Sequence, residues 1–314
     1  MIKKSQIQKI VTLTNLPQHS LQAALWSDQL GATFRAQVVL YDTISPARTT
    51  EGAVGYQVNR YKVLLESSIG RLKKLAQHVK HAQNVRCLSE LGVPVTNLLY
   101  QAQRENADLI VLKLPNLEET LPAGMDALLY GSKCPVFFTR SEQKPVLPQK
   151  ILVPLRLQAG LEQKMPAVIT WAKASNATVY LATYEPYDTN GAERKSMQEL
   201  EDKLSAMLLK EDIRVVTLTM RGRHFGQTML RCVKDTQAEM VVIVVEPSNF
   251  LNRLVKDMMG KYFLQHATVP VLAVPIMHGQ ARELGSAELA RQQNGHSPAI
   301  GGLKYRLETP FPTA

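Results

Sequence analysis

Short apolar runs alternate with amphipathic stretches along most of the chain. Residues 10–14 form a compact apolar run, and residues 17–34 carry apolar side chains at helical spacing. Residues 61–82 repeat apolar positions every three or four residues, which predicts a long amphipathic helix. Apolar runs that do not alternate with polar residues are typical of strands buried on both faces. The pattern therefore favours parallel strands separated by helices.

The remaining predicted elements keep this alternation through both halves of the chain. Further strands are predicted at residues 36–41, 85–91, 108–114, 135–139, 151–156, 178–184, 213–220, 240–246 and 270–275. Further helices are predicted at residues 95–106, 117–130, 160–175, 191–211, 225–237 and 248–266. Such an order predicts an α/β fold with open, doubly wound parallel sheets and right-handed crossovers.

The second half repeats motifs of the first half in the same order. The matching pairs are Trp26 with Trp171, Ala32-Thr33 with Ala177-Thr178, Ala107-Asp108-Leu109 with Ala238-Glu239-Met240, and Cys134-Pro135-Val136 with Val269-Pro270-Val271. A repeat of this length indicates a duplicated domain rather than a solenoid unit. We predict one domain at residues 1–141, a linker at 142–149 and a second domain at 150–276.

Residues 277–314 depart from this pattern. Residues 279–293 could form one polar helix, and the rest of the segment is rich in turn residues with little to bury. We expect a partly disordered tail or one that docks a partner.

Composition excludes several classes of protein. The apolar runs are too short to span a bilayer, and the net charge of +10 is spread along the chain without a dense basic arm. Aromatic residues make up 6% of the chain and do not interleave with basic residues, which disfavours a nucleic-acid stacking platform. The cysteines, Cys87, Cys134 and Cys232, have no paired spacing, so we expect buried, reduced thiols and a cytoplasmic protein.

The motifs together resemble the universal stress protein family, present as a tandem pair over about residues 7–276. The first copy carries Gly92-Val93-Pro94 and the strand motif at residues 107–111, and the second carries residues 239–243 and Val269-Pro270-Val271. The resemblance implies five strands per half in the order 3-2-1-4-5. It also implies that the two final strands, residues 136–139 and 271–274, pair edge to edge and form an intramolecular pseudo-dimer, with further homodimerisation possible.

Members of that family that bind ATP have glycines after the fourth strand, where backbone amides approach the phosphates. The chain has other residues at the corresponding positions. The two glycine positions are Lys113 and Asn116 in the first copy and Val244 and Pro247 in the second, and the later Gly-Ser step falls near Asp126 and at Asp257-Met258. The acidic residue that the family has at the end of the first strand is Asn15 in one copy and Arg156 in the other. Pro247 also lacks an amide hydrogen, and Asp257 repels phosphate. We therefore expect no cofactor and no ATP binding in the family's manner.

Basic and polar residues follow the predicted strands of the second half. The candidate anion-binding residues are Arg156, Arg221, Arg223, His224, Ser248 and Asn249. Ligands of parallel α/β sheets bind beyond the carboxyl ends of the strands, where these residues fall. The alternative is that they are ordinary solvated loop residues.

Other chemistry has little support in the sequence. His78 and His81 have a spacing that could chelate a metal on a helix, but no third ligand accompanies them. There is no nucleophile elbow, phosphate loop or catalytic triad pattern. We expect a non-enzymatic, stress-associated regulatory or scaffolding protein with an unidentified protein partner, or alternatively a nucleotide- or anion-responsive sensor.

Overall fold

The structure is a computed structural model that describes residues 7–14, 20–45, 54–82, 84–117, 119–140, 145–156, 161–245, 259–276 and 306–311. It divides into two compact units. The amino-terminal unit consists of Ile7–Lys113, Pro122–Cys134 and Met277–Ala314. The carboxy-terminal unit consists of Met1–Gln6, Leu114–Leu121 and Pro135–Ile276. The predicted boundaries at 141 and 150 remain a prediction, because the compact units exchange segments across them.

The elements alternate between strand and helix through both halves. In chain order they are β1 (Lys9–Leu13), α1 (Ser20–Phe34), β2 (Gln37–Ile44), α2 (Val54–Ala76), β3 (Asn84–Leu91), α3 (Pro94–Arg104), β4 (Leu109–Lys113), α4 (Met125–Gly131), β5 (Val136–Thr139), β6 (Lys150–Leu155), a 3-10 turn (Leu161–Lys164), α5 (Met165–Ser175), β7 (Thr178–Glu185), α6 (Gly191–Leu209), β8 (Val215–Arg221), α7 (Phe225–Thr236), β9 (Met240–Val245), α8 (Met259–His266), β10 (Val271–Pro275) and β11 (Arg306–Phe311).

The sheet of the amino-terminal unit has the strand order β11-β3-β2-β1-β4. Strands β3, β2, β1 and β4 are parallel, in the predicted order 3-2-1-4. Most of their apolar residues are buried, and Ile10, Val39 and Ile110 have no measurable exposure. Helices cover this sheet, which is why the strands read as continuous apolar runs rather than alternating ones.

The sheet of the carboxy-terminal unit has the order β5-β10-β9-β6-β7-β8. Its strands β6 to β10 are parallel and follow the predicted order 3-2-1-4-5. The last strand of the first half, β5, joins this sheet by antiparallel pairing with β10, with Phe138 opposite Val271. The predicted edge-to-edge pairing of the two final strands is therefore present. Phe137 of β5 also stacks on Trp171 of α5, with 5.1 Å between ring centroids.

Two predicted elements differ from the structure. The helix predicted at 117–130 is reduced to α4, which begins at Met125. Pro122 disfavours helical backbone at Leu121, and Gly124 before the helix has a φ of 87°, so the chain turns where the pattern predicted a helix. The long helix predicted at 61–82 begins at Val54 and ends at Ala76.

The tail contains a strand that the sequence analysis did not foresee. β11 pairs antiparallel with β3 along six residues, from Arg306 opposite Glu90 to Phe311 opposite Val85. The helix considered at 279–293 lies outside the described residues. Among the described helices, none is long and apolar enough to cross a membrane.

Candidate functional site

The carboxyl ends of β6, β7 and β8 bring several arginines together. Arg156 directly follows β6, and Arg221 is the last residue of β8. The last residue of β7, Glu185, stands opposite Arg221 in the parallel register. Arg194, from the first turns of α6, reaches the same carboxylate. We call Arg156, Arg194, Arg221 and Arg223 the arginine surface.

Glu185 is the acidic centre of this surface. Its Oε1 accepts a hydrogen bond of 2.6 Å from Nε of Arg194 and one of 3.2 Å from Nη2 of Arg221. The hydrogen bonds from Arg194 and then from Arg221 outweigh desolvation and hold the pKa of Glu185 below its ordinary value. The side chain of Glu185 is 10% exposed, whereas those of Arg194 and Arg221 are 51% and 61% exposed. The surface therefore presents cations to solvent and keeps the carboxylate beneath them.

Aromatic side chains support the other end of the arginine surface. The guanidinium carbon of Arg156 lies 5.7 Å from the centre of the Phe225 ring, within the range of a cation–π contact. Tyr184 meets Phe225 edge-on, with 5.2 Å between ring centroids. The Tyr184 hydroxyl donates to the Gly222 carbonyl at 2.9 Å. These contacts fix the turn between β8 and α7.

That turn carries the remaining predicted residues. Arg223 and His224 are exposed, and His224 precedes the first residue of α7 without capping the helix through its side chain. A helix N-terminus favours negative charge, so this position suits an anion. Gly222 allows the turn to pack directly on Thr228, since a Cβ at this position would clash with the threonine hydroxyl. Ser248 and Asn249 lie outside the described residues.

The sequence analysis missed Glu185, Arg194 and Phe225. The Glu185–Arg221 contact depends on strand register, and Arg194 reaches the site from a separate helix, so neither is visible as a local motif. Asp188 is a second carboxylate nearby. Burial is the main cause of the raised pKa of Tyr184, and the charge of Asp188 raises this pKa further.

The turn after β4 corresponds to the predicted nucleotide loop of the first half. Lys113 ends β4 and is 1% exposed, and Asn116 is exposed. The Leu114 amide donates to the Thr139 carbonyl at 2.7 Å, and the Asn116 amide donates to Oε1 of Glu119 at 3.3 Å. Pro115 has no amide hydrogen. The backbone donors of residues 114–116 are therefore used within the protein.

A cavity of about 440 Å³ opens beside this turn and is lined by Glu119, Thr120, Arg140 and His266, among others. The guanidinium of Arg140 donates to the carbonyls of Pro115 and Leu264. Burial lowers the pKa of Arg140, while the Glu119 carboxylate acts in the opposite direction. Arg140 thus closes the last turn of α8, where cations are favoured, and Glu119 opposes the entry of an anion.

Comparison with known proteins places this geometry in a family. The model of the universal stress protein family matches residues 149–275. The second half of the chain is a universal stress protein domain. No curated protein sequence matches the chain significantly. The match of residues 149–275 to this family implies a stress-associated role for that domain.

Solved structures extend the likeness in fold beyond the matched domain. A universal stress protein from Archaeoglobus fulgidus DSM 4304 superposes with a TM-score of 0.68 at 12% identity, covering 88% of this chain and 100% of its own. A protein of unknown function from Pseudomonas aeruginosa PAO1 superposes with a TM-score of 0.60 at 14% identity, covering 93% and 98% respectively. The predicted resemblance and fold class are confirmed.

In the universal stress protein domain only part of the predicted nucleotide loop is described. Val244 lies within β9, half-buried and paired with Val274 of β10. Pro247, Asp257 and Met258 lie outside the described residues, as does Asn15 in the first half. The expectation that these positions do not cradle phosphate stays a prediction there.

Lys164 is a feature of the universal stress protein domain that the sequence analysis did not single out. It ends the 3-10 turn after β6, is 1% exposed, and donates from Nζ to the Pro154 carbonyl at 2.8 Å. Burial lowers its pKa to about 7. A lysine is ordinarily exposed, so its sequence position gave no sign of this burial.

The histidine pair does not have its predicted setting. α2 ends at Ala76, so His78 and His81 both lie beyond the helix rather than on it. Nδ1 of His81 lies 2.7 Å from Oδ2 of Asp28. In the parts of the chain that the structure describes, no group of three or more His, Cys, Asp or Glu residues could hold a metal ion.

Proposed function

We propose that this protein is a non-enzymatic regulatory or scaffolding universal stress protein that does not bind ATP in the family's usual manner and acts on a protein partner. The observation that carries the proposal is the turn after β4. Its amides at Leu114 and Asn116 are already hydrogen-bonded, and Pro115 supplies none. Binding of a triphosphate by backbone amides requires free donors at this point.

Charge supports the same conclusion. Glu119 lines the cavity beside the turn, and Arg140 is held by two backbone carbonyls. A phosphate entering this cavity would meet the Glu119 carboxylate, which repels it, and the Arg140 guanidinium is already engaged by the two carbonyls. Binding there would require the turn to break its internal hydrogen bonds.

Mass spectrometry of the natively purified full chain tests the proposal. We expect no adenine nucleotide to be retained, and no heat of binding when Mg-ATP is titrated into the protein. An ATP-binding universal stress protein prepared in parallel serves as the positive control. Stoichiometric ATP in the purified chain would contradict the proposal.

We also propose that the protein works in the cytoplasm. Cys87, Cys134 and Cys232 are free and buried. Burial raises the pKa of Cys87 and Cys232 to about 11 and that of Cys134 to about 12, so all three are neutral, unreactive thiols. Unpaired cysteines suit a reducing compartment. Fractionation of cells that produce the tagged protein checks this.

The arginine surface favours a second function, an anion-responsive sensor. The guanidiniums of the arginine surface lie beside a helix N-terminus that has no side-chain cap, so a phosphorylated ligand would find both charge and amide donors. Calorimetry with pyrophosphate tests it. We expect Arg156→Ala and Arg221→Ala each to weaken binding about tenfold.

Arg214→Ala is the matched control for the sensor. Arg214 precedes β8 at the opposite end from Arg221 and donates to the Asn176 carbonyl at 3.0 Å. Its loss removes the same charge from the chain but leaves the arginine surface intact. If Arg214→Ala and Arg221→Ala weaken pyrophosphate binding equally, the effect comes from net charge alone and the arginine surface is not the binding site.

A further inference from the structure

The outer edge of β3 is occupied by a strand from the far end of the chain. β11 adds to β3 in antiparallel register, with Glu308 opposite Leu88 and Pro310 opposite Arg86. An unpaired strand edge is a ready template for a further strand, and proteins cover such edges. Here the cover is a short segment that reaches the edge only after the chain has completed β10.

A charged contact fixes the register of this strand. Nη2 of Arg86 donates to Oε1 of Glu308. The same guanidinium holds Glu105, with Nη1 2.9 Å from its Oε2, and Lys9 approaches that carboxylate at 3.1 Å. The contact with Glu105 therefore positions Arg86 independently of β11. Glu308 and Arg86 stand on diagonal cross-strand positions, where opposite charges attract.

Proline in β11 indicates which amides face β3. A proline lacks the amide hydrogen and is tolerated in an edge strand where that position points away from the partner. Because amide directions alternate along a strand, Pro310, Glu308 and Arg306 share the outward side. The amides of Leu307 and Thr309 then point towards β3.

We propose that the edge of β3 is a strand-binding site for the sequence Arg306–Phe311, and that a second copy of this chain can fill it in trans with the same strand. The site recognises a backbone ladder together with a carboxylate that meets Arg86, and these contacts do not depend on how the strand is connected. Residues 277–305 connect β10 to β11 and span at most about 100 Å, which is long enough to reach a neighbouring molecule. Such an exchange is the usual basis of strand swapping.

Thr309→Pro in the full chain vacates the site by removing an amide that points to β3. A fluorescein-labelled peptide of residues 304–314 is the probe. We expect saturable one-to-one binding to Thr309→Pro, and binding at least about tenfold weaker to the unmodified chain, whose own strand competes at high effective concentration. Arg306→Pro is the matched control, because its amide faces outward, and should behave like the unmodified chain.

A milder variant keeps the proposal testable if Thr309→Pro does not fold. Glu308→Lys in the full chain changes one exposed side chain and places it against Arg86. We expect the wild-type peptide to bind this variant about fivefold more tightly than it binds the unmodified chain. The peptide carrying Glu308→Lys should bind Thr309→Pro about fivefold more weakly than the wild-type peptide does. The strand-binding site is overturned if the peptide affinity does not depend on the residue at position 308. It is also overturned if folded Thr309→Pro does not bind the peptide.

Exchange with a second copy is tested with two full chains of different mass. Tagged Thr309→Pro provides an open β3 edge, and untagged Arg86→Ala provides an intact strand with a weakened site of its own. Native mass spectrometry of the mixture should show a mixed dimer that exceeds the dimer of either chain alone. If the mixture shows no mixed dimer beyond the dimers of the separate chains, while the peptide still binds Thr309→Pro, exchange of the strand with a second copy is ruled out.

Discussion

The two halves of the chain each place an acidic residue within the last three positions of their second strand and surround it differently. In β2, Asp42 stands opposite Ser89 of β3, and in β7, Glu185 stands opposite Arg221 of β8. Each carboxylate also receives an arginine from the following long helix, Arg71 of α2 or Arg194 of α6. The two carboxylates are not equivalent in register, because Asp42 corresponds to Thr183 when Lys9 is aligned with Lys150. The residue that stands opposite each carboxylate on the third strand separates the outcomes.

Serine at this position closes the first site. Ser68 donates to Asp42, and Ser89 donates to Ser68 at 2.8 Å, so the carboxylate is buried in a hydrogen-bonded chain. Arginine at the same position opens the second site, because its charged head remains in solvent. A buried, hydrogen-bonded carboxylate contributes to stability, whereas an exposed group of arginines is available to a ligand.

The largest expected effect comes from breaking the closed site. Asp42→Ala leaves the buried Ser68 hydroxyl without its acceptor and removes the partner of Arg71, so we expect the free energy of unfolding to fall by about 3 kcal/mol. Urea denaturation measures it. Arg71→Ala should cost less, because the arginine side chain is 61% exposed. Equal losses for the two variants would mean that burial of Asp42 does not set the difference.

Lys164 is a charged residue that is buried in the interior of the second half. Its pKa of about 7 in the folded state lies below the unfolded value of about 10.4, so the unfolded chain binds more protons between these values. The stability of the unmodified protein should therefore rise as pH increases from about 7 to about 10. Below pH 7 the cost of the buried amine is fully present.

Lys164→Met removes that titration. We expect the variant to be more stable by about 2 kcal/mol at pH 7, with the advantage shrinking as pH rises towards 10. Thermal or urea unfolding at pH 7 and pH 9.5 provides the comparison. Lys173→Met on the exposed face of α5 is the control and should leave the pH dependence unchanged. A pH-independent difference for Lys164→Met would show that the amine does not titrate in this range.

The smallest effect should come from the open site. Glu185→Gln removes the carboxylate that offsets Arg194 and Arg221, so we expect pyrophosphate to bind about threefold more tightly with little change in stability. The lowered pKa keeps Glu185 ionised at neutral pH, so this gain should be the same at pH 6 and pH 8. Calorimetry at both pH values measures it. Weaker binding would mean that Glu185 orients the arginines rather than opposing the ligand.

Periodicity predicted the strands and helices because that pattern depends on burial alone, whereas the strand order and the pairing of the two final strands were implied by the resemblance to the universal stress protein family. The apolar runs around Ile10 and Val241 are typical of strands in a covered sheet, and both are parallel strands in the structure. β11 could not be predicted in this way. Its sequence contains Pro310, which argues against a strand, and its partner lies more than two hundred residues earlier.

The sequence predicted where the arginines of the candidate site lie but not which residues contact them. Arg156 and Arg221 were expected at strand ends, and they are there, because strand ends follow from the apolar runs. Their partners, Glu185 and Phe225, come from register and from the packing of another helix. The burial of Lys164 could not be predicted either, because it depends on the local 3-10 turn rather than on the hydrophobic pattern.

The place of β5 bears on any attempt to dissect the protein. The segment that matches the family, residues 149–275, lacks the strand that pairs with β10 and the phenylalanine that stacks on Trp171. Produced alone, it would expose the hydrogen-bonding side of β10 and one face of a buried indole. Such a fragment should associate with itself or precipitate, so a soluble version must carry residues 135–140 with it.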